Sequence, residues 1–240
     1  MNRSRICIPC YCVAALLFLP ASSCLLAQND PSNLDVRLFR QINNGQSSFK
    51  TSLIGITDNS VAPITILAPI SLITYGPATD GNEPFESGVL LGVSDVLSYS
   101  VCLALKAGVK REPPDIALSN VEAHHLDGAD PYSFPSGHTT GAFALATMLS
   151  LRYPKPGVYI PAFVWAGLVG YGRVYFGLHY PTDVMGGALI GAVSSFLVYE
   201  YQAKLLPHAY KIIGRKAPEN VSALIVPNRG GMLFNFAVRF

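Results

Sequence analysis

Charged residues are scarce in this sequence. Asp, Glu, Lys and Arg make up 13% of the 240 residues, whereas half of the residues are hydrophobic. That charged share is roughly half of what a typical soluble domain contains. The formal net charge is only +2, and no basic run is interleaved with aromatic residues. We therefore expect a membrane protein and no nucleic-acid partner.

Cysteine is almost absent beyond the N-terminal segment, which holds four of the five cysteines: Cys7, Cys10, Cys12 and Cys24. This segment begins with Arg3 and Arg5, continues with an apolar stretch and ends in small residues. The pattern is typical of a secretory signal over residues 1–27, cleaved near Ala27, with an uncleaved signal anchor as the alternative. After cleavage only Cys102 would remain, so we expect no internal disulfide and no cysteine metal site.

The alternation of apolar and polar residues that marks a half-buried strand is missing from the central region. Asp58 and Asp95 interrupt the first two of its apolar segments, and Pro63 and Pro69 are expected to kink the first. Each segment is near the ~20 residues that a bilayer-spanning helix needs. We predict an all-α bundle of about five apolar, membrane-spanning helices after the N-terminal signal; a soluble all-α domain is the alternative. The segments are Leu53–Tyr75, Gly88–Leu105, Gly137–Leu151, Val158–Phe176 and Val184–Tyr201.

The predicted helical domain covers residues 28–206, and a basic tail follows at 207–240. Basic segments are retained on the cytoplasmic side of a membrane. We therefore expect loops 107–136 and 174–183 on the exported side, which in a bacterial-type inner membrane is the periplasm. Only the last stretch, Gly231–Phe240, alternates as a strand would.

Polar residues gather at one end of the predicted helices. Pro135 and Ser136 stand just before a helix, whose free N–H groups and dipole attract an anion, and Gly137 allows close backbone approach. Lys106 and Arg173 lie at ends of apolar helices, where an ionisable residue is a functional candidate. Their cationic groups suit phosphate oxygens. Each also has a structural interpretation, as a helix-end anchor or, for Ser136, as an N-cap.

His179 and Asp183 are four residues apart. At that spacing the carboxylate can reach one ring nitrogen and leave the other as a nucleophile or base. His138, on a different helix, could act as the general acid. The loop at 107–136 also carries side chains that can bind metals, namely His124, His125, Asp127 and Asp130. We interpret this loop as solvated and predict no metal site.

These residues resemble the motifs of the type 2 phosphatidic acid phosphatase family, which shares its active site with vanadium-dependent haloperoxidases. The family pattern is Lys-x6-Arg-Pro, then Pro-Ser-Gly-His, then Ser-Arg-x5-His-x3-Asp. The second motif is complete at Pro135–His138. Arg173, His179 and Asp183 match the third, with Gly172 in place of the leading Ser. The resemblance covers about residues 34–205.

The first motif departs from the family pattern. Lys106 is followed by Pro113 where the family has Arg, and Arg111 lies two residues earlier. Loss of a phosphate-binding Arg removes charge-assisted contacts to the transition state. We hypothesise that Arg111 bends into the site and takes over this role.

The resemblance implies a membrane-associated phosphatase that hydrolyses a lipid phosphate monoester or diphosphate without a metal or cofactor. It implies that His179 attacks phosphorus and becomes a phosphohistidine, that Asp183 orients it, and that His138 protonates the leaving group. The alternatives are a vanadate-dependent haloperoxidase and a catalytically impaired member that acts as a membrane binding protein. The expected phosphate-binding residues are Lys106, Arg111, Ser136, Gly137 and Arg173.

Overall fold

A computed structural model of the chain describes residues 32–78, 82–124, 131–214, 222–228 and 231–237. The predicted leader at 1–27 lies outside these residues, as do His125, Asp127 and Asp130. The helices are α1 (Leu34–Asn43), α2 (Ser48–Asn59), α3 (Val61–Ala78), α4 (Asn82–Val109), α5 (Pro114–Ala117), α6 (Gly137–Arg152), α7 (Pro156–Tyr175), α8 (Pro181–Glu200) and α9 (Gln202–Ile212). Two strands follow, β1 (Ser222–Asn228) and β2 (Gly231–Ala237).

All five predicted apolar segments lie in helices. The first is divided between α2 and α3, because the chain breaks at Ser60 and not at a proline. Pro63 falls in the first turn of α3, where a missing N–H removes no helical hydrogen bond, and Pro69 lies inside the same helix. Among the described residues, three helical stretches are long and apolar enough to cross a membrane: Ser48–Ala78, Asn82–Ala117 and Pro181–Glu200.

The backbones of α6 and α8 pack in direct contact. A Cβ atom on Gly187 would lie 2.5 Å from the carbonyl oxygen of Ser136, and one on Gly191 would clash with the carbonyl oxygen of Thr140. Only glycine therefore fits at these positions of α8. The small residues of the last apolar segment therefore allow close helix packing, and this contact holds the Pro-Ser-Gly-His motif against α8.

Helix α1 packs over the turn between α7 and α8. Val36 and Phe39 are buried in one cluster with Val174 and Tyr180. Polar side chains of α1 bind the backbone of the loop after α5. Arg40 donates hydrogen bonds to the carbonyl oxygens of Ser119 and Asn120 at 2.6 and 2.8 Å, and Asn43 donates to that of Glu122 at 2.9 Å.

The predicted basic tail at 207–240 begins inside a helix and includes two strands. Helix α9 runs through the predicted boundary at 206, and its buried Tyr210 donates a hydrogen bond to Glu86 of α4 at 3.1 Å. Strands β1 and β2 then form an antiparallel hairpin. The all-α prediction therefore holds for the described helical region and not for this hairpin, whose β2 covers residues 231–237 of the stretch that alternates as a strand would.

Candidate active site

His179 lies in the turn that joins α7 to α8. Gly177 adopts a φ of +77°, which glycine tolerates, and so the chain reverses just after α7. The N–H groups of Leu178 and His179 then donate hydrogen bonds to the carbonyl oxygen of Arg173, at 3.1 and 3.2 Å. The turn therefore fixes the backbone of His179 against the end of α7, and its side chain is only 2% exposed.

The two ring nitrogens of His179 have different environments. Nδ1 lies 2.7 Å from the carbonyl oxygen of Ser133. A carbonyl oxygen only accepts hydrogen bonds, so Nδ1 carries the proton and Nε2 of the neutral ring carries the lone pair. The nearer oxygen of Asp183 is 3.7 Å from Nδ1, which is long for a hydrogen bond. The direct partner is thus a backbone carbonyl, and Asp183 acts on the ring from slightly further away.

Burial also keeps the imidazole of His179 neutral. Desolvation lowers its pKa below the ordinary 6.5, and the positive charges of Arg173 and Lys106 lower it further, whereas Asp183 raises it. A neutral ring is what a nucleophile requires, because a protonated ring has no lone pair to donate.

Asp183 is completely buried and bonded on both oxygens. Oδ2 accepts a hydrogen bond from the backbone N–H of Tyr180 at 2.8 Å, which caps the start of α8. Oδ1 accepts one from the guanidinium of Arg111 at 2.6 Å. The carboxylate is therefore fixed in position relative to His179.

Arg111 makes contacts other than the predicted ones. Its guanidinium bridges Asp183 and Asp35 of α1, at 2.6 and 2.7 Å, and lies 3.8 Å from the ring centre of Tyr180. The side chain is buried between these groups. This geometry does not support the hypothesis that Arg111 bends in to replace the missing phosphate-binding Arg.

Lys106 and Arg173 are buried at the same end of the bundle. Lys106 donates a hydrogen bond to the carbonyl oxygen of Tyr132. Arg173 donates to Asp58 of α2 at 2.8 Å, and its buried Nε has no hydrogen-bond partner among the described residues. Both cations are near enough to His179 to shift its pKa. They are therefore cations of the polar cluster and not anchors at a membrane surface.

The Pro-Ser-Gly-His motif begins α6 beside Asp183. Ser136 is the N-cap residue of α6. Among the described residues its side chain makes no capping hydrogen bond to the backbone, and its hydroxyl instead accepts a hydrogen bond from the Thr139 hydroxyl at 3.0 Å. The Ser136 N–H donates to the carbonyl oxygen of Asp183 at 3.0 Å. Gly137 is buried at the first helical position, and His138 follows it half-buried. This arrangement brings the second and third motifs together.

Gly172, which stands where the family motif has Ser, has no room for a side chain. A Cβ atom there would lie 2.7 Å from Cγ2 of Ile54, a buried residue of α2. The departure from the motif therefore follows from the close packing of α2 on α7.

Sequence reasoning missed three partners of this cluster. Asp58 was recognised only as an interruption of an apolar segment, although a charge in such a segment is itself a functional signal. Asp35 and the carbonyl of Ser133 gave no signal at all. Among the described residues no group of three or more His, Cys, Asp or Glu could hold a metal, and His124 lies 2.7 Å from the side chain of Gln46.

Comparison with known proteins identifies the family. A model of the PAP2 superfamily matches residues 87–207, about half of the chain. Undecaprenyl-diphosphatase BcrC of Bacillus subtilis is 25% identical over 69% of this chain and 81% of its own length. The undecaprenyl-diphosphatase of Sulfolobus acidocaldarius is 29% identical over 80% of this chain and 91% of its own.

Two solved structures share the fold. LpxE of Aquifex aeolicus superposes with a TM-score of 0.63 and 29% identity, over 72% of this chain and 98% of LpxE. A PAP2-type phosphatidylglycerolphosphate phosphatase of Bacillus subtilis superposes with a TM-score of 0.57 and 25% identity, over 80% and 96% of the two chains. Together with the paired motifs around His179, these matches show that the chain belongs to the PAP2 superfamily and is a membrane-associated phosphatase of phosphorylated lipids.

Proposed function

We propose that this chain hydrolyses a lipid phosphate by attack of His179 Nε2 on phosphorus. The observation that carries the proposal is the 2.7 Å hydrogen bond between Nδ1 of His179 and the carbonyl oxygen of Ser133. This bond assigns the proton to Nδ1 and leaves the lone pair on Nε2, and burial keeps the ring neutral.

We assign phosphate binding to groups at the same end of the bundle as this nucleophile. Lys106 and Arg173 supply two buried positive charges, and the start of α6 supplies the hydroxyl of Ser136 and the backbone N–H of Gly137. A 16-residue helix directs free N–H groups and the positive end of its dipole at an anion. Pro113 offers no cation, so the proposed cradle has one positive charge fewer than the family motif.

The reaction proceeds in two balanced steps. In the first, a bond forms between Nε2 of His179 and phosphorus, the bond from phosphorus to the leaving oxygen breaks, and His138 gives that oxygen its proton. In the second, His138 takes a proton from water, whose oxygen attacks phosphorus and breaks the bond to Nε2. The products are inorganic phosphate, the original neutral His179 and the lipid with one phosphoryl group fewer, which is an alcohol from a monoester and a monophosphate from a diphosphate.

The substrate class is a phosphorylated lipid, either a monoester or a diphosphate. The helices that carry the site expose apolar side chains such as Leu103, Leu168 and Leu189, which suit a ligand with an apolar tail. The relatives named above act on undecaprenyl diphosphate and phosphatidylglycerophosphate by their descriptions. Those two lipids are the first substrates to test.

The proposed topology places the site on the exported side of a bacterial-type inner membrane. Lys106 near the end of α4 and His179 in the turn before α8 lie at one end of the bundle, whereas α9, which carries Lys204 and Lys211, follows the other end of α8. Basic tails are retained in the cytoplasm, which puts the site in the periplasm. The proposed five spans, the leader at 1–27 and the tail at 207–240 belong to the same topology.

A phosphoenzyme trap tests the mechanism. The purified chain is mixed with a lipid phosphate labelled on the phosphoryl group and quenched in alkali, where phosphohistidine survives. Wild type should retain label and His179→Ala should retain none, because the bond that holds the label is to Nε2. His208→Ala is the matched control, since His208 lies exposed on α9 and should leave labelling unchanged.

Equal labelling of wild type and His179→Ala would refute the nucleophile. Vanadate provides a second readout, because an oxyanion that occupies the phosphate cradle should inhibit phosphate release. A haloperoxidase would instead oxidise halide once vanadate is added.

A further inference from the structure

We infer that Asp35 is a positioning residue for His179, acting through Arg111 and Asp183. Asp35 lies on α1, outside the residues 87–207 that match the family model. The inference rests on the proposed role of His179 as nucleophile. It assigns to α1 a part in catalysis beyond packing.

Three hydrogen bonds fix the carboxylate of Asp35. Oδ2 accepts from the guanidinium of Arg111 at 2.7 Å and from the hydroxyl of Thr182 at 2.6 Å. Oδ1 accepts from the backbone N–H of Thr182 at 3.0 Å. The side chain is only 5% exposed, so water does not compete for these bonds. A carboxylate held in this way keeps its position.

The bonds of Arg111 extend to both partners of His179. The guanidinium binds Asp183 at 2.6 Å, and Asp183 lies 3.7 Å from Nδ1 of His179. The carbonyl oxygen of Arg111 accepts the N–H of Ser133 at 2.8 Å, and the Ser133 carbonyl is the acceptor for Nδ1. By holding Arg111, Asp35 therefore supports both groups that orient the imidazole.

The charges of this group also favour the reaction. One guanidinium, that of Arg111, is shared between two carboxylates, Asp35 and Asp183, which gives the group a net charge of −1. Without Asp35, Arg111 would neutralise Asp183 completely. The imidazole of His179 gains positive charge when Nε2 bonds to phosphorus, so a residual negative charge near Nδ1 stabilises that state.

Other charges near His179 do not supply this negative charge. Arg173 and Lys106 are positive, and Asp58 is bonded directly to Arg173. Asp183 is the carboxylate close to the ring, and Arg111 would offset it. The remaining negative charge of the cluster therefore depends on Asp35.

The test compares Asp35→Asn with wild type in steady-state hydrolysis of a lipid phosphate. We expect kcat to fall on the order of tenfold, because a negative charge that stabilises the reacting His179 is lost. KM should change by less than about twofold. The acid limb of the kcat/KM profile should move to lower pH. Less negative charge near His179 disfavours its protonated form and so lowers its pKa.

Two controls separate this role from a structural one. Val36→Ala loosens the packing of α1 without changing any charge, and should lower the thermal midpoint but leave the acid limb in place. Glu86→Gln removes a carboxylate from the ion pair with Arg152 at the far end and should leave both kcat and the acid limb unchanged. If Asp35→Asn does not fold, Asp35→Glu replaces it: its charge is retained, so kcat should fall while the acid limb stays.

The outcomes are distinct. Wild-type kcat and an unmoved acid limb in Asp35→Asn, or the same limb shift in Val36→Ala, would overturn the inference. A shifted limb in Asp35→Glu would overturn it as well. Full activity in His179→Ala, measured in parallel, would instead refute the proposed function on which the inference rests.

Discussion

Each end of the helical bundle holds an arginine bonded to carboxylate, but the two environments differ. At the far end, Arg152 of α6 donates to Glu86 of α4 at 3.1 Å, and the two side chains are 13% and 20% exposed. At the site end, Arg111 bridges Asp35 and Asp183 at 2.7 and 2.6 Å, with side chains that are 5% or less exposed.

The difference in exposure indicates that the two sets of ion pairs have different roles. A partly hydrated pair such as Arg152–Glu86 contributes at most about 1 kcal/mol, and it joins the ends of two helices. In a buried pair the desolvation cost offsets much of the attraction, so such a pair is weak support for stability. Removing one partner is costly because it leaves an uncompensated charge. Buried ion pairs that surround His179 are therefore better explained by function.

Arg111→Met should have the largest effect. It leaves Asp35 and Asp183 buried without their cation, so we expect a loss of about 3–5 kcal/mol in the free energy of unfolding and little activity. Thermal unfolding in detergent and phosphate release measure the two effects. Arg152→Met is the control at the far end, where the loss should be about 1 kcal/mol. Equal losses in the two variants would contradict the comparison.

Asp58→Asn should have the next largest effect. It removes the carboxylate that orients Arg173, 2.8 Å away, and we expect kcat/KM to fall on the order of tenfold. Asp95→Asn is the matched control in an apolar helix, because the Asp95 carboxylate has no hydrogen-bond partner among the described residues. The role assigned to Asp58 would be wrong if both variants lost the same activity.

The pH dependence of the site should follow the neutral imidazole. His179 must be deprotonated to attack, and burial lowers its pKa below 6.5. The rate constant kcat/KM should therefore be retained at pH 6.5 and fall only at lower pH, as the ring becomes protonated. An acid limb centred above pH 6.5 would show that burial does not control the pKa of this histidine.

Glu86→Gln should have the smallest effect. The variant keeps one acceptor oxygen for Arg152, its amide NH2 can donate to the Tyr210 hydroxyl, and a partly screened charge is lost, so we expect a change of less than about 1 kcal/mol in stability. Its kcat should equal that of wild type. A large loss of activity would mean that the far end is coupled to the site.

Local patterns predicted much of this molecule. The apolar segments predicted the central helices, and the spacing of Arg173, His179 and Asp183 predicted a shared site, because those residues lie within one turn and its flanking helices. The break between α2 and α3 at Ser60 was not predicted. Kinks were expected at Pro63 and Pro69, but Pro63 lies in a first helical turn, where proline is tolerated.

Long-range partners could not be predicted. Asp35 lies 76 residues before Arg111, and Asp58 lies 115 residues before Arg173. No periodicity connects residues so far apart. The acceptor for His179 is the backbone carbonyl of Ser133, an atom that every residue type provides. The two carboxylate partners of Arg111 could not be predicted for a related reason, since they become its neighbours only after folding.

The hydrogen bonds from α1 to the loop after α5 allow sequence change beside the site. Arg40 and Asn43 bind backbone carbonyl oxygens of Ser119, Asn120 and Glu122, not their side chains. These hydrogen bonds therefore do not depend on the side chains at the three positions, although the φ of +54° at Asn120 favours Asn or Gly there. Exchanging the side chains of Ser119 or Glu122 should therefore leave the hydrogen bonds from α1 to the loop backbone in place.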